Sequence, residues 1–220
     1  MTEGVATRLL QLDSCALSDA LDSMQLPAAI TGLAPLSSDR RIAGPAVTVR
    51  LAPDKPVDTA PRHLGTMAIE SASGGEVIVI EHSSGVECAG WGGVLSAGAR
   101  LRNIAGVVID GLARDIDEAR ELAFPIFARG ATARTARNRV WEQECNEPVN
   151  IAGTTVRPGD WIVADASGVV ALPLEHLEEI IARAERVAAR ERLMVEALRK
   201  GERVTEVLGR SYEDMLQQLD

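Results

Sequence analysis

The sequence predicts an α/β fold built on a largely parallel central sheet, and three observations predict it. Short β-branched runs (41–53, 76–82, 106–111 and 125–130) alternate with segments of helical spacing (61–72, 88–103 and 116–123), the rhythm of strand–helix–strand units. The chain has 220 residues, 46% of them hydrophobic and only 3% aromatic, so one sizeable core must be filled by Val, Ile, Leu and Ala. Neither an internal repeat nor a low-complexity linker divides the chain, which favours one domain (1–174) followed by a helical tail (175–220).

Taken in order, residues 5–24 carry apolar positions at helical spacing, and Asp13 or Ser14 is placed to cap the second of two short helices. RIAGPAVTVRLAP (41–53) reads as a strand, entered by Gly-Pro and stopped by Pro53. Residues 61–72 read as helix and EVIVIEH (76–82) as a β-branched strand. CAGWGGVLSAGARLRN (88–103) starts with glycines and continues as a small-residue helix. GVVIDG (106–111) is the next strand, IDEARELA (116–123) a short helix and PIFARG (125–130) another strand. In 151–172 strands lie only a few residues apart, with turns at Pro158-Gly159-Asp160 and Ala166-Ser167-Gly168, so this region reads as antiparallel. EHLEEIIARAERVAARERLMVEALRK (175–200) is one long charged helix ending at Gly201. Its row of Ile180, Ile181, Ala184, Val187 and Ala188 must cover something, a neighbouring subunit being one candidate.

Charge and composition exclude several function classes. A formal net charge of -9 argues against nucleic acid, because neutralising phosphates needs a basic surface. No apolar run approaches the length of a membrane span, and MTEGVATRLLQLDS lacks the basic segment and apolar core of a secretion signal. Cys15, Cys88 and Cys145 are odd in number and lack metal-like spacing, which fits free thiols in a reducing cytosol. A soluble, cytoplasmic protein is expected.

Two segments carry chemistry. Gly90-Trp91-Gly92-Gly93 lies between a strand region and a helix, where backbone N–H groups approach a ligand and the helix N-terminus favours an anion. The bland reading is a tight turn; it is not a dinucleotide fingerprint and no P-loop lysine follows. Arg114 and Asp115 follow the strand GVVIDG. Arg114 offers a planar fork of donors for a carboxylate, and Asp115, pointing elsewhere, offers a hard oxygen for a divalent cation. The bland reading makes Asp115 the N-cap of the helix beginning near 116. Asp110, before Gly111, reads as a turn residue as often as a ligand; Asp165 in VADASG reads more as an Asx-type turn; and His82, ending a strand within reach of a cleft, reads more as structural, as a lone His does. His63 and His176 have no partner in sequence, and Cys88 has no identifiable base, so no nucleophile is assigned. The residues thus describe an anion-and-metal site suited to a small 2-oxo acid.

The run ECAGWGGVLSAGARLRNIAGVVIDGLARDIDEARELAFPIFARG resembles the signature region of the RraA-like family. LSDALDSM (17–24), IAGPAVTV (42–49) and PGDWIVADASGVVALP (158–173) extend the likeness over most of the chain. That family includes 4-hydroxy-4-methyl-2-oxoglutarate/4-carboxy-4-hydroxy-2-oxoadipate aldolases, ribonuclease E activity regulators and proteins once named as demethylmenaquinone methyltransferases. The resemblance implies a swivelling β/β/α domain, phosphohistidine-domain-like, assembled as trimers or hexamers with sites between subunits. It implies that Arg114 binds the pyruvyl group, that Asp115 binds Mg²⁺ or Mn²⁺, and that the backbone of Gly90, Trp91, Gly92, Gly93, Val94 and Leu95 binds the carboxylate. Glu191, on the C-terminal helix of a neighbouring subunit, is implied to complete the metal's outer shell. The implied activity is a metal-dependent aldolase that releases pyruvate through a metal-stabilised enolate, with oxaloacetate decarboxylation by the same chemistry. The alternative is a non-catalytic regulator that binds a protein partner. One departure stands out: the aldolases carry an acidic residue twenty-one positions before the Arg, and here that residue is Gly93. His82 and Glu87 are the sequence's candidates for a replacement polar group.

Overall fold

β-branched residues on alternating sides of four adjacent strands set the centre of the molecule. In the computed structural model, which describes residues 2–56, 63–82 and 84–209, the elements in chain order are as follows. The first half holds α1 (Thr2–Leu9), α2 (Ser14–Ser23), β1 (Ala34–Pro35), β2 (Ile42–Ala52), α3 (Thr66–Ser71), β3 (Val77–Glu81), β4 (Ala89–Trp91) and α4 (Gly93–Leu101). Next come β5 (Gly106–Ala113), α5 (Ile116–Glu121), β6 (Ile126–Ala131), β7 (Trp141–Cys145), β8 (Val149–Ile151) and β9 (Thr154–Val156). The chain closes with β10 (Trp161–Ala164), β11 (Val169–Leu172), α6 (Leu177–Arg199) and α7 (Val204–Val207).

The main sheet runs β1-β6-β5-β3-β2-β10-β11, with β4 added to β5 and β7 to β2. The expected parallel core is present as β2, β3, β5 and β6. Antiparallel strands flank it on both sides, so the sheet is mixed. Register places Val47, Ile78, Val107 and Ile126 in one row across the parallel strands, and Thr48, Val79, Val108 and Phe127 in the next. Because successive side chains point to opposite faces, these two rows fill two different cores. The first row packs under α3, α4 and α5 with Leu95, Ala119 and Phe124. The second packs under the β8–β9 hairpin through Val149, Ile151 and Val156.

A third cluster lies where α1, α2 and α6 cover β10 and β11, joining Leu17 and Leu21 to Val163, Val170, Ile180, Ile181, Ala184 and Val187. The apolar row of α6 is therefore covered within its own chain, by α1, α2 and the β10–β11 strands. Asp13 caps α2 by accepting the Ala16 N–H at 2.8 Å, and α6 stops before Gly201, whose φ of 93° suits the residue after a helix.

Other expectations shift at their edges. Helix 61–72 begins only at Thr66, and residues 61–62 lie outside the described residues, as do 210–220 of the expected tail. β4 intervenes before α4, and β5 continues to Ala113, so Arg114 is the first residue past the strand. Among the described residues no helix is long and apolar enough to cross a membrane.

Candidate active site

The parallel strands deliver the site residues at their C-terminal ends, where open α/β sheets keep ligands. β4 pairs with β5 beyond an irregularity, and the Arg114 N–H donates to the Trp91 carbonyl at 3.0 Å. That bond ties the end of β5 to the start of α4. Asp115 then takes the left-handed conformation, φ 56° and ψ 42°, which Asp tolerates better than most residues. Its carboxylate does not cap α5. Asp115 Oδ2 instead accepts the Gly93 N–H at 2.9 Å and the Arg114 Nε–H at 3.0 Å. Sequence spacing had Asp115 pointing away from Arg114; the two are paired, because the left-handed turn swings the carboxylate back over the α4 N-terminus.

This pairing has an electrostatic consequence. The Gly93 N–H, more than any other neighbour, holds the Asp115 carboxyl below its ordinary pKa; partial burial opposes it and Arg114 reinforces it. Asp115 is thus held ionised, with Oδ2 engaged and Oδ1 making no hydrogen bond among the described residues.

A cavity of about 420 Å³ opens beside the pair. Trp91, Gly92, Gly93, Val94, Leu95, Arg114 and Asp115 line one side, and Arg137, Asn138 and Glu142 are among the residues opposite. The Trp91 indole forms a fixed wall: it is buried, stacked on Phe124 at 6.2 Å, and its Nε1–H donates to Ser96 Oγ at 2.9 Å. The Arg114 side chain is 39% exposed, and Nε is its only hydrogen-bonded nitrogen among the described residues. Gly92 offers no side-chain cap to α4, and the Val94 and Leu95 N–H groups, in the first turn, lack an intrahelical carbonyl.

Acidic side chains come close to both glycines, and a Cβ at either position would have to push a carboxylate end aside. A Cβ on Gly92 would lie 2.8 Å from Asp115 Oδ2, and one on Gly93 would lie 1.8 Å from Glu118 Oε2. Glu118, on α5, is a residue that nothing in the sequence singled out. Glu142 is another: it is buried in the cavity wall and accepts the Gly65 N–H at 2.7 Å. Exposed His63 also lines the cavity.

The remaining candidates fall elsewhere. Gly90 is buried in β4 and does not line the cavity; a Cβ there would meet His82 Cδ2 at 3.1 Å. His82 is buried, with Nε2 2.8 Å from the Cys88 carbonyl oxygen, so it is structural and replaces nothing at position 93. Cys88 Sγ lies 3.7 Å from the same nitrogen, but burial pushes its thiol up, away from a nucleophilic thiolate. Glu87 reaches the Arg134 side chain only through its backbone carbonyl. Asp110 is buried and joins three elements, accepting from Arg129 Nε and from the Ala152 N–H at 2.7 Å. Asp165 makes an Asx turn to Ser167 and holds Ser14 through its N–H at 2.8 Å and its hydroxyl at 2.7 Å. Glu191 sits on α6 among the charges of Asp13 and Asp19 of its own chain, outside the residues lining this cavity.

As a metal site the arrangement is spare. Among the described residues no group of three or more His, Cys, Asp or Glu could hold a metal ion. The carboxylates lining the cavity are Asp115 and Glu142, and Mg²⁺ is a cation that keeps several waters and uses one or two carboxylates.

Comparison with known proteins gives a consistent picture. The RraA-like family description, Aldolase/RraA, matches residues 14–171. Protein DlpA of Legionella pneumophila is 33% identical over 174 residues, which is 79% of this chain but only 28% of DlpA's length. A Halalkalibacterium halodurans protein provisionally named 4-hydroxy-4-methyl-2-oxoglutarate aldolase is 34% identical over 184 residues, 83% of each chain. The crystal structure of an uncharacterized protein from Pseudomonas syringae pv. tomato superposes with a TM-score of 0.85 at 34% identity, covering 94% of this chain and 93% of that one. The RNA-processing inhibitor RraA from Thermus thermophilis superposes with a TM-score of 0.56 at 27% identity, covering 67% of this chain and 85% of that one. With its matched region spanning the sheet, the Gly92–Gly93 turn and the Arg114–Asp115 pair, the chain belongs to the RraA-like (Aldolase/RraA) family.

Proposed function

We propose that this protein is a divalent-metal-dependent lyase that cleaves 4-hydroxy-2-oxo acids to pyruvate and decarboxylates oxaloacetate by the same enolate chemistry. The observation that carries this reading is the convergence of Arg114, Asp115 and the α4 N-terminus, whose Gly93 N–H Asp115 holds, on one cavity. A bound Mg²⁺ or Mn²⁺ would supply Lewis-acid polarisation of the 2-oxo group. The Val94 and Leu95 N–H groups hold the substrate carboxylate at the positive end of α4. Arg114, oriented through its Nε–Asp115 bond, directs its remaining donors at the 2-oxo oxygen. When the C3–C4 bond breaks, its electron pair moves toward that oxygen, and the Arg114 charge stabilises the resulting enolate. The 4-hydroxyl loses its proton as C4 becomes a carbonyl, and water protonates C3 to give pyruvate.

The same proposal includes a swivelling β/β/α domain of the phosphohistidine-domain type, a cytoplasmic homotrimer or homohexamer, and Glu191 of one subunit in the outer shell of the next subunit's metal. The aldolase name carried by the Halalkalibacterium relative supports the substrate class. The test is pyruvate release from oxaloacetate and from 4-hydroxy-4-methyl-2-oxoglutarate, coupled to lactate dehydrogenase. Turnover is expected with Mg²⁺ and is expected to vanish with EDTA.

The second reading is a regulator that binds a protein partner. It is favoured by Gly93 in the acidic position of the aldolase pattern and by the likeness to the Thermus RNA-processing inhibitor. Arg114→Ala separates the two: it removes the lyase activity and leaves surface-mediated protein binding nearly intact.

A further inference from the structure

A bulge in β7 turns an acidic side chain inward. Cys145 pairs with Val49 and Glu144 with Arg50, but the next pairing joins Leu51 to Glu142, which leaves Gln143 as an extra residue. Without it, strand alternation would put Glu142 on the face of Glu144, which meets Arg50 as a half-exposed ion pair. With it, Glu142 joins the face of Val49 and Leu51, two residues of the core under α3, α4 and α5. Burying a carboxylate is costly, and the bulge disrupts the ladder as well.

The inward turn brings Glu142 to the cavity. Its residue is only 6% exposed, and it lines the same space as Arg114. Oε2 accepts the Gly65 N–H at 2.7 Å, and Gly65 stands against the Trp91 ring, where a Cβ would lie 3.2 Å from Cζ3. Trp91 in turn accepts the Arg114 N–H at its carbonyl. Glu142 and Arg114 are thus fixed to one cavity through the same residue. A carboxylate offers about four lone-pair sites, so the Gly65 bond does not exhaust it. The other carboxylate of the cavity wall, Asp115, is committed to orienting Arg114.

We propose that Glu142 is a catalytic residue, the general base that takes the proton of the substrate's 4-hydroxyl. The proposal rests on the reading of the cavity as a lyase site. As the hydroxyl O–H bond breaks, its proton passes to the Glu142 carboxylate and C4–O becomes a carbonyl. The electron pair of the C3–C4 bond moves to the 2-oxo oxygen beside Arg114. Water then protonates C3, and Glu142 returns its proton to water, which restores the carboxylate. Oxaloacetate has no 4-hydroxyl, so its decarboxylation needs the enolate-stabilising side of the cavity but not the base.

The test compares the two substrates in the full-length protein with Mg²⁺, reading pyruvate release and the thermal midpoint of each variant. In Glu142→Gln the amide oxygen still accepts the Gly65 N–H, but the side chain no longer takes a proton. Cleavage of 4-hydroxy-4-methyl-2-oxoglutarate is expected to fall by about 10²–10⁴-fold, the range for a positioned acid–base group. Oxaloacetate decarboxylation is expected to stay within a few-fold of wild type. Glu142→Asp, a carboxylate drawn back by one methylene, is expected to keep decarboxylation and to cleave faster than Glu142→Gln.

Wild-type cleavage in Glu142→Gln would overturn the proposal and leave the lyase reading standing. Loss of both activities in both variants would overturn it too, making Glu142 a structural carboxylate of the cavity wall. Decarboxylation without cleavage in the wild type would keep the enolate site and remove any task for the base. Absence of pyruvate from either substrate in the wild type would overturn the lyase reading itself, and this proposal with it.

Discussion

Asp115 adopts a left-handed backbone and accepts a backbone N–H from a residue twenty-two positions earlier, and both features serve Arg114. A guanidinium tethered through Nε presents its two terminal nitrogens in a fixed plane, which an ammonium cannot reproduce. Arg114→Ala is expected to lower the rate of pyruvate release by about 10²–10³-fold, the cost of removing one donor aimed at a developing oxyanion. Arg114→Lys is expected to recover little of it, as steady-state kinetics would show. Asp165 gives a second prediction. Burial raises its pKa, but the Ser14 hydroxyl and N–H, the Ser167 N–H and the Arg41 charge outweigh that and leave it lowered. A lowered carboxylate stabilises the fold above its unfolded pKa and loses that contribution as pH falls through the folded value. Asp165→Asn should therefore lower the thermal midpoint at neutral pH, with a gap from wild type that closes only below the ordinary carboxylate range. A gap that persists unchanged into strong acid would contradict this. At this scale the Arg114–Asp115 pair was legible because it follows a clear buried strand. Glu142 was not, because its place in the cavity wall is fixed by Gly65, distant along the chain.

Helices and strands were read best where periodicity was long. The β3 and β5 runs and the 23-residue α6 carry enough residues to show their period. β4 has three residues, too few for alternation to appear, so its Gly-rich sequence read only as a turn into α4. β7, WEQEC, is polar and lies against the end of β2, where half-exposed side chains hide the strand signal. The close approach of β4 to β5 around His82 makes a stability prediction. A Cβ on Gly111 would lie 2.7 Å from His82 Cδ2, inside a fully packed region. Gly111→Ala is expected to destabilise the fold by about 1–3 kcal/mol through overpacking, measured by denaturant titration. On the helical side, Ile181→Ala is expected to cost about 2–5 kcal/mol, because Ile181 is wholly buried between α2, α6 and the sheet.

The whole molecule combines an overall charge of -9 with a cavity that presents Arg114 and Arg137 beside Asp115 and Glu142, so local cations line a cavity on an acidic protein. On the surface, Val94 is 87% and Leu101 85% exposed on α4, with Met67 on α3 also exposed. The proposed trimer or hexamer predicts a light-scattering mass of three or six times the 23.4 kDa chain, and a monomer would contradict it. Fold class and family were legible because the core pattern and the signature run are continuous in sequence.

The central claim is that this cavity stabilises the enolate of pyruvate. Its most direct test is exchange of the pyruvate methyl protons in D₂O, followed by NMR, because exchange requires the enolate and no aldol partner. Exchange above the buffer rate with Mg²⁺, lost with EDTA and lost in Arg114→Ala, is the predicted result. Exchange no faster than buffer in the metal-supplemented wild type would contradict the claim and turn attention to protein binding as the function of the fold.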